Sequence, residues 1–245
     1  MKDIQRILSY MRRAVDDYAM ICEGDRIGVG ISGGKDSLTL LAGLSDLSRF
    51  YPIPFTLCAI TVDMGFPGSD FSGVDAFCRE RGIEYRVEKT DIAKIIFEER
   101  KEPNPCSLCA RMRRGVLHGT AKDMGCNKIA LGHHFDDAVE TFMLNLFFEG
   151  RLGCFSPVTY LSNRDLTMIR PLIYAKEKDV EYFARRNPLP IVESLCPEDK
   201  HTERENMKSL LKTLEAQNPG LRHRLFHAMC EGHIDGFMPA GRLPD

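Results

Sequence analysis

The sequence predicts an α/β protein with a doubly wound, mostly parallel sheet and a helical C-terminal extension. Apolar, β-rich runs alternate with helical patterns as far as Leu172. Strands that alternate with helices form right-handed βαβ units, and such units build a parallel sheet covered on both faces. Beyond Leu172 only helical patterns remain. A length of 245 residues fits one domain with a modest appendage.

The elements are expected in a regular order. Strands are predicted at residues 26–31, 55–62, 85–88, 128–131 and 167–169. Helices are predicted between them at 36–50, 70–81, 107–124 and 136–148, and after them at 176–186, 202–217 and 220–230. The chain is thus divided into an amphipathic N-terminal helix (1–24), the α/β domain (25–175), the extension (176–235) and a frayed tail (236–245).

Composition narrows the class of protein. The N-terminus has no secretion signal, and no apolar run approaches the ~20 residues of a membrane span, so we expect a cytoplasmic protein without a membrane partner. A net charge of −2 leaves only local basic patches for binding nucleic acid. Nine cysteines, an odd number in a reducing compartment, favour metal or sulfur chemistry over a disulfide framework.

A glycine-rich turn joins the first predicted strand to the helix after it. Its residues are Ser32, Gly33, Gly34, Lys35, Asp36 and Ser37. Glycines let successive backbone N–H groups converge on an anion, the helix N-terminus adds its positive end, and Lys35 adds a full charge. The segment therefore predicts a phosphate-binding loop.

Two common nucleotide motifs fit this turn poorly. Walker A would need glycine where Val29 stands and a hydroxyl residue where Asp36 stands. The dinucleotide fingerprint G-x-G-x-x-G does match, at Gly28, Gly30 and Gly33, with Asp63 as a ribose-binding acid. It leaves Lys35 unexplained, however, and places its first two glycines inside the strand. The string S-G-G-K-D-S resembles instead the PP-loop of the ATP pyrophosphatases, which split ATP between the α and β phosphates to adenylate a substrate.

A second polar turn follows the fourth predicted strand. The string from Gly132 to Thr141 resembles the G-H-x-x-D-D-x-x-E-T element of tRNA-modifying PP-loop proteins. The resemblance implies that Asp137 helps to hold Mg²⁺ or the phosphates and that Gly132 and His133 lie near the nucleotide. A divalent ion is also expected because displaced pyrophosphate must be neutralised. The simpler alternative is that an aspartate of this turn only caps the helix.

The cysteines suggest the second half of the chemistry. Cys106 and Cys109 form a C-x-x-C at the start of a predicted helix, where the helix N-terminus favours thiolates, and Cys196 lies far downstream between prolines. A lone C-x-x-C is compatible with half a zinc site, a redox pair or coincidence. Most of the other cysteines, which lie in apolar or helical settings, are expected to be buried.

Together these segments, with the stretch from Ile169 to Leu172, resemble the tRNA-cytidine 2-sulfurtransferases (the TtcA family) over residues 25–205. The resemblance implies a [4Fe–4S] cluster held by Cys106, Cys109 and Cys196, with one iron free of a protein ligand. Zinc is the alternative, with His133 or His201 as the fourth ligand, and spacing alone does not separate the two. The presence of only one C-x-x-C argues against thiouridine-forming relatives with paired zinc-binding sets.

The implied reaction is ATP-dependent thiolation of tRNA. ATP would bind to the loop 32–37 with its adenosine near Asp63, and Lys35 and Asp137 would assist adenylation of the C2 oxygen of a cytidine. Sulfide at the cluster, supplied directly or by a cysteine desulfurase, would then replace that oxygen. The predicted helix at 107–124, with basic residues from Arg111 to Arg114, and the C-terminal helices would hold the tRNA, and the N-terminal helix would support a homodimer or pack on its own sheet.

Two other functions fit parts of the sequence. One is a lysidine-type PP-loop ligase in which the cysteines hold structural zinc. The other is a non-catalytic switch in which ATP binding alters affinity for a partner.

Overall fold

The computed structural model describes residues 1–100, 105–198 and 203–237. Its strands are β1 (Asp25–Ile31), β2 (Phe55–Asp63), β3 (Glu84–Lys89), β4 (Lys128–Ala130), β5 (Val158–Leu161) and β6 (Leu166–Ile169). Its α-helices are α1 (Ile4–Asp17), α2 (Lys35–Leu47), α3 (Ser72–Glu80), α4 (Pro105–Asp123), α5 (Phe135–Phe148), α6 (Glu177–Arg186), α7 (Glu203–Gln217) and α8 (Leu221–Glu231). A π-helix at Lys94–Glu99 and a 3₁₀ turn at Ile234–Gly236 complete the described elements.

The strands form one sheet in the order β3-β2-β1-β4-β6-β5. All neighbouring strands pair in parallel except β5 and β6, which are antiparallel. Ile27, Val29 and Ile31 of the central strand β1 are buried, as expected for a strand covered on both faces. The doubly wound, mostly parallel sheet is therefore confirmed, with one short antiparallel edge strand that the sequence did not predict.

The apolar side chains form two cores, one on each face of the sheet. The smaller core joins Ile60 and Ile129 of the sheet to Ala121 of α4. The larger core includes apolar side chains of α1, α2, α5 and α6. Met207 of α7 and Phe226 of α8 are buried in this same core, so the helical extension packs into the main body of the fold.

The amphipathic N-terminal helix packs against its own chain. Ile7 and Met11 of α1 are buried and lie directly against Gly43 of α2, whose missing side chain lets the two helices approach closely. The apolar face that could have supported a homodimer is thus covered within one chain. None of the helices in the described ranges has the length and apolarity needed to span a bilayer.

The tail was expected to be frayed from residue 236 onward, but its first residues are packed against the fold. Phe237 is fully buried and packs against Phe155 and Phe226. Residues 238–245 lie outside the described part of the chain.

Candidate active site

The turn between β1 and α2 has the geometry of an anion-binding loop. Gly33 has a φ of +85°, which favours glycine, and Gly34 is the N-cap of α2. The hydroxyl of Ser37 accepts a hydrogen bond from the Ser32 N–H at 3.2 Å and donates to the Gly34 carbonyl at 3.0 Å. The Ser32 hydroxyl accepts from the Gly34 N–H at 3.3 Å. These bonds fix the loop that precedes the positive end of α2.

Lys35 begins α2 and lies between two carboxylates. Its Nζ is 3.2 Å from Asp36 Oδ1 and 3.2 Å from Glu177 Oε1. Burial would lower the pKa of Lys35, but the charges of Asp36 and Glu177 outweigh it and raise the pKa. The lysine is therefore charged, and both of these partners are carboxylates.

The turn after β4 rests on the phosphate loop. A Cβ at Gly132 would lie 3.1 Å from backbone atoms of Asp36 and Ser37, so any larger residue would push the two turns apart. The next residue, His133, is half-buried with its ring 4.8 Å from that of Phe155, and loss of solvent around the ring lowers its pKa to about 4. The imidazole is therefore neutral at physiological pH.

Asp137 does cap α5, but it does so together with His134. Its Oδ2 accepts a hydrogen bond from the His134 N–H at 2.9 Å, and its own N–H donates to His134 Nδ1 at 3.3 Å. Its second oxygen, Oδ1, is 3.1 Å from Arg204 of α7. The capping role expected as the simpler alternative thus uses only one of the two carboxylate oxygens.

The C-terminal helices bring cations to the acidic start of α5. Arg222 of α8 donates to Asp136 Oδ1 at 2.7 Å. Arg204 and Arg222 also approach the buried carboxylate of Glu140, at 3.8 and 3.7 Å. No motif in the sequence singled out Arg204 or Lys208, whereas Glu140 is the glutamate of the second polar turn.

The buried carboxyl of Glu140 makes stability depend on pH. Burial and the neighbouring charge of Asp137 raise its pKa from 4.5 to about 7. Because the folded state favours the protonated acid, its stabilising contribution is full below pH 4.5 and is lost as the pH rises through about 7. From pH 5 to pH 8 we expect Glu140→Gln to gain stability relative to the wild type, by up to about 3 kcal/mol.

Urea unfolding of both proteins at the two pH values measures this difference. Glu149→Gln, at the exposed C-terminal end of the same helix, is the matched control and should follow the wild type. A constant difference between Glu140→Gln and the wild type across this range would contradict the assignment.

A cavity of about 390 Å³ lies between the phosphate loop and α4. Its polar side includes Ser32, Asp36, Ser37, His133 and Asp137, and its apolar side includes Ile60, Val62, Leu117 and Leu131. Arg113 and Arg114 of α4 line it as exposed cations. It is therefore large enough and suitably polarised for part of a nucleotide.

Two residues on this side of the sheet differ from expectation. His118 shares the sequence spacing of the basic residues Arg111 and Arg114 on α4, which would place it on their exposed face, yet it is buried, and burial lowers its pKa. Asp63 ends β2, but its carboxylate accepts a hydrogen bond from the Gly65 N–H at 3.0 Å and so turns toward its own loop. Ile60 and Val62 line the cavity from that strand.

The three cysteines of the expected cluster lie near one another. Cys106 is exposed at the start of α4, and Cys109 and Cys196 are half-buried. Burial raises the pKa of Cys106 and of Cys109, and neighbouring Cys196 raises both further. Thiolates are the ligands that iron–sulfur clusters and structural zinc prefer, so these residue types fit either group.

In the described residues, no three histidine, cysteine or acidic side chains are already arranged around a common metal position. His201, one of the alternative zinc ligands, lies outside the described residues. Among the remaining cysteines, Cys58, Cys78, Cys126 and Cys154 are buried as expected, whereas Cys22 is exposed and Cys230 is half-buried.

The segment that carries Cys196 is attached to the phosphate loop. The Val192 N–H donates to the Gly33 carbonyl at 3.0 Å. A side chain at Gly33 would come within 2.9 Å of Val192 Cβ, so the contact also requires glycine. The cysteine segment and the phosphate loop therefore meet directly.

Comparison with known proteins identifies similar sequences and structures. The PP-loop domain family matches residues 6–215. A tRNA-cytidine(32) 2-sulfurtransferase of Geobacter sulfurreducens is 43% identical over 228 residues, which cover 92% of this chain and 89% of that protein. The protein of the same name from Syntrophotalea carbinolica is 45% identical over 228 residues, covering 92% and 88%.

Among solved structures, the U34-tRNA thiolase NcsA of Methanococcus maripaludis, with its [4Fe–4S] cluster, has a TM-score of 0.74 and 27% identity. The match covers 89% of this chain and 76% of that one.

Proposed function

Because the chain belongs to the tRNA-cytidine 2-sulfurtransferases, a family of PP-loop proteins, we propose that it uses ATP to replace the C2 oxygen of a tRNA cytidine by sulfur. The observation that carries the proposal is the shared cavity. It is lined by Ser32 and Ser37 of the phosphate loop and by α4, the helix that begins with Cys106 and Cys109. Activation and sulfur delivery can therefore take place on one bound base.

ATP binding uses the two sides of the cavity. The phosphates lie on the loop 32–37 at the N-terminus of α2, where Lys35 offsets their charge, and the adenosine lies against Ile60 and Leu117. Asp36 Oδ1 lies 3.2 Å from Lys35 Nζ but accepts no hydrogen bond within the described residues, so this oxygen and the Asp137 carboxylate would hold a divalent cation. Mg²⁺ held there would neutralise the departing pyrophosphate.

Sulfur transfer uses the cysteines. A [4Fe–4S] cluster on Cys106, Cys109 and Cys196 would supply an iron without a protein ligand, at which sulfide can be held. The attack of the C2 oxygen on the α-phosphate releases pyrophosphate, and replacement of the adenylated oxygen by sulfur releases AMP. Sulfide provides the sulfur, either supplied as such or formed from the persulfide of a cysteine desulfurase by an external two-electron reductant such as a thiol.

The tRNA approaches over α4. Arg111, Arg113 and Arg114 are exposed there, and two of them line the cavity. Guanidinium groups bind phosphate and stack on bases, and proteins usually read RNA at splayed loop nucleotides. The target cytidine would enter the cavity out of its stack.

Mass spectrometry of tRNA nucleosides tests the proposal. Cells without this protein should lack 2-thiocytidine, and the gene should restore it. Loss of a thiouridine or of lysidine would assign a different PP-loop reaction, and an unchanged nucleoside profile would favour a non-catalytic ATP-binding protein.

The identity of the metal is tested separately. Protein purified without oxygen should be brown, absorb in the blue-violet region and contain iron. A colourless protein that contains stoichiometric zinc would show that the cysteines hold a structural zinc ion and not a cluster.

A further inference from the structure

Glu177, the first residue of α6, forms salt bridges with two lysines. Lys208 Nζ lies 2.7 Å from Glu177 Oε1, and Lys35 Nζ lies 3.2 Å from the same oxygen. The carboxylate of Glu177 is only 17% exposed. Its backbone N–H donates to Asp136 Oδ2 at 2.8 Å, which anchors Glu177 to the start of α5. A nearly buried acid therefore lies between a lysine of the phosphate loop and a lysine of α7.

The two lysines do not interact equally with this acid. Lys208 is closer to Glu177 and makes the shorter hydrogen bond. Burial would raise the pKa of Glu177, but the two lysines together hold it below its usual range. Lys35 has a second partner in Asp36. Glu177 therefore remains paired with Lys208 when Lys35 turns away.

If Lys35 turns toward a bound polyphosphate, its 3.2 Å contact with Glu177 is lost. A partly buried carboxylate that loses its only cation costs free energy, because it is neither solvated nor paired. When Lys208 is present, Glu177 keeps one cationic partner, so this free-energy cost does not arise. Without Lys208, Glu177 would hold Lys35 more strongly and compete with the phosphates.

We propose that Lys208 is a positioning residue for ATP binding, which neutralises Glu177 so that Lys35 is free to contact the phosphates. The inference rests on the proposed role of Lys35 in the phosphate loop. It places part of the ATP-binding machinery in the C-terminal extension, on a helix that carries no nucleotide motif.

Equilibrium binding of α,β-methylene ATP to the full chain tests the proposal without turnover. We expect Lys208→Ala to weaken binding about fivefold, the upper end of the effect of losing one partly exposed ion pair. Glu177→Gln should bind at least as tightly as the wild type. The double variant Lys208→Ala/Glu177→Gln should bind like Glu177→Gln, because the competing charge is gone.

The matched control is Lys212→Ala, since Lys212 is exposed one turn further along α7. Thermal unfolding of each variant confirms that it is folded. Unchanged binding in Lys208→Ala, or a double variant as weak as Lys208→Ala, would overturn the role of Lys208. Lys35→Ala separates this failure from that of the proposed function: if that variant binds the analogue normally, the phosphate loop itself is wrongly assigned.

Discussion

Cys196→Ala is expected to abolish tRNA thiolation while leaving ATP binding within about twofold of the wild type. Cys196 belongs to the segment that contacts the phosphate loop. It also lies close enough to Cys106 and Cys109 to raise the pKa of both thiols. Removing it leaves two cysteines, which are too few to hold a cluster with one open iron. The ATP contacts come from other residues and should persist.

Nucleoside mass spectrometry, iron content and nucleotide binding measure the three parts of this prediction. Cys22→Ala is the matched control, because Cys22 is exposed and precedes β1. Truncation of a half-buried cysteine costs on the order of 1 kcal/mol, so the variant should fold. Normal 2-thiocytidine in a Cys196→Ala strain would exclude Cys196 as a ligand.

Lys35→Ala is expected to reduce the release of pyrophosphate by at least about a hundredfold. The helix N-terminus and the loop N–H groups remain, but the only full positive charge of the phosphate loop is lost. The thiols are untouched, so iron content should be that of the wild type. The reaction would therefore fail at activation with the sulfur site intact.

Single-turnover release of pyrophosphate and AMP with tRNA measures this step. Lys178→Ala tests for a general effect of lost charge, because Lys178 is exposed on α6 next to Glu177. Pyrophosphate release at the wild-type rate in Lys35→Ala would show that Lys35 does not contact the phosphates.

The sequence predicted every described strand except the edge strand β5. β1 was predictable because a continuous apolar run ends in a glycine turn. β5 has four residues, lies at the sheet edge and exposes Tyr160, so no buried face marks it. Its antiparallel partner β6 is also short, and the pairing of two such strands depends on the rest of the sheet.

The candidate site also contains residues that the sequence could predict and residues that it could not. Lys35, Gly132 and Asp137 could be predicted as site residues because each lies in a turn whose residue types and spacing suit nucleotide chemistry. Glu177 and Lys208 approach the phosphate loop only through the packing of α6 and α7, and an isolated charged residue on a helix usually faces solvent. Their role could not be inferred before the tertiary contacts were known.

The hydrogen bond from Val192 to Gly33 has a consequence for the fate of the adenylated tRNA. A backbone-to-backbone bond has no side-chain rotamers, so it sets the spacing between the two reaction centres more rigidly than a salt bridge between long side chains. An activated base exposed to solvent would be hydrolysed back to cytidine, with ATP consumed for nothing. Because the segment that carries Cys196 contacts the phosphate loop, we expect the adenylated base to stay beside the proposed sulfur site, and ATP consumption to match sulfur incorporation one to one.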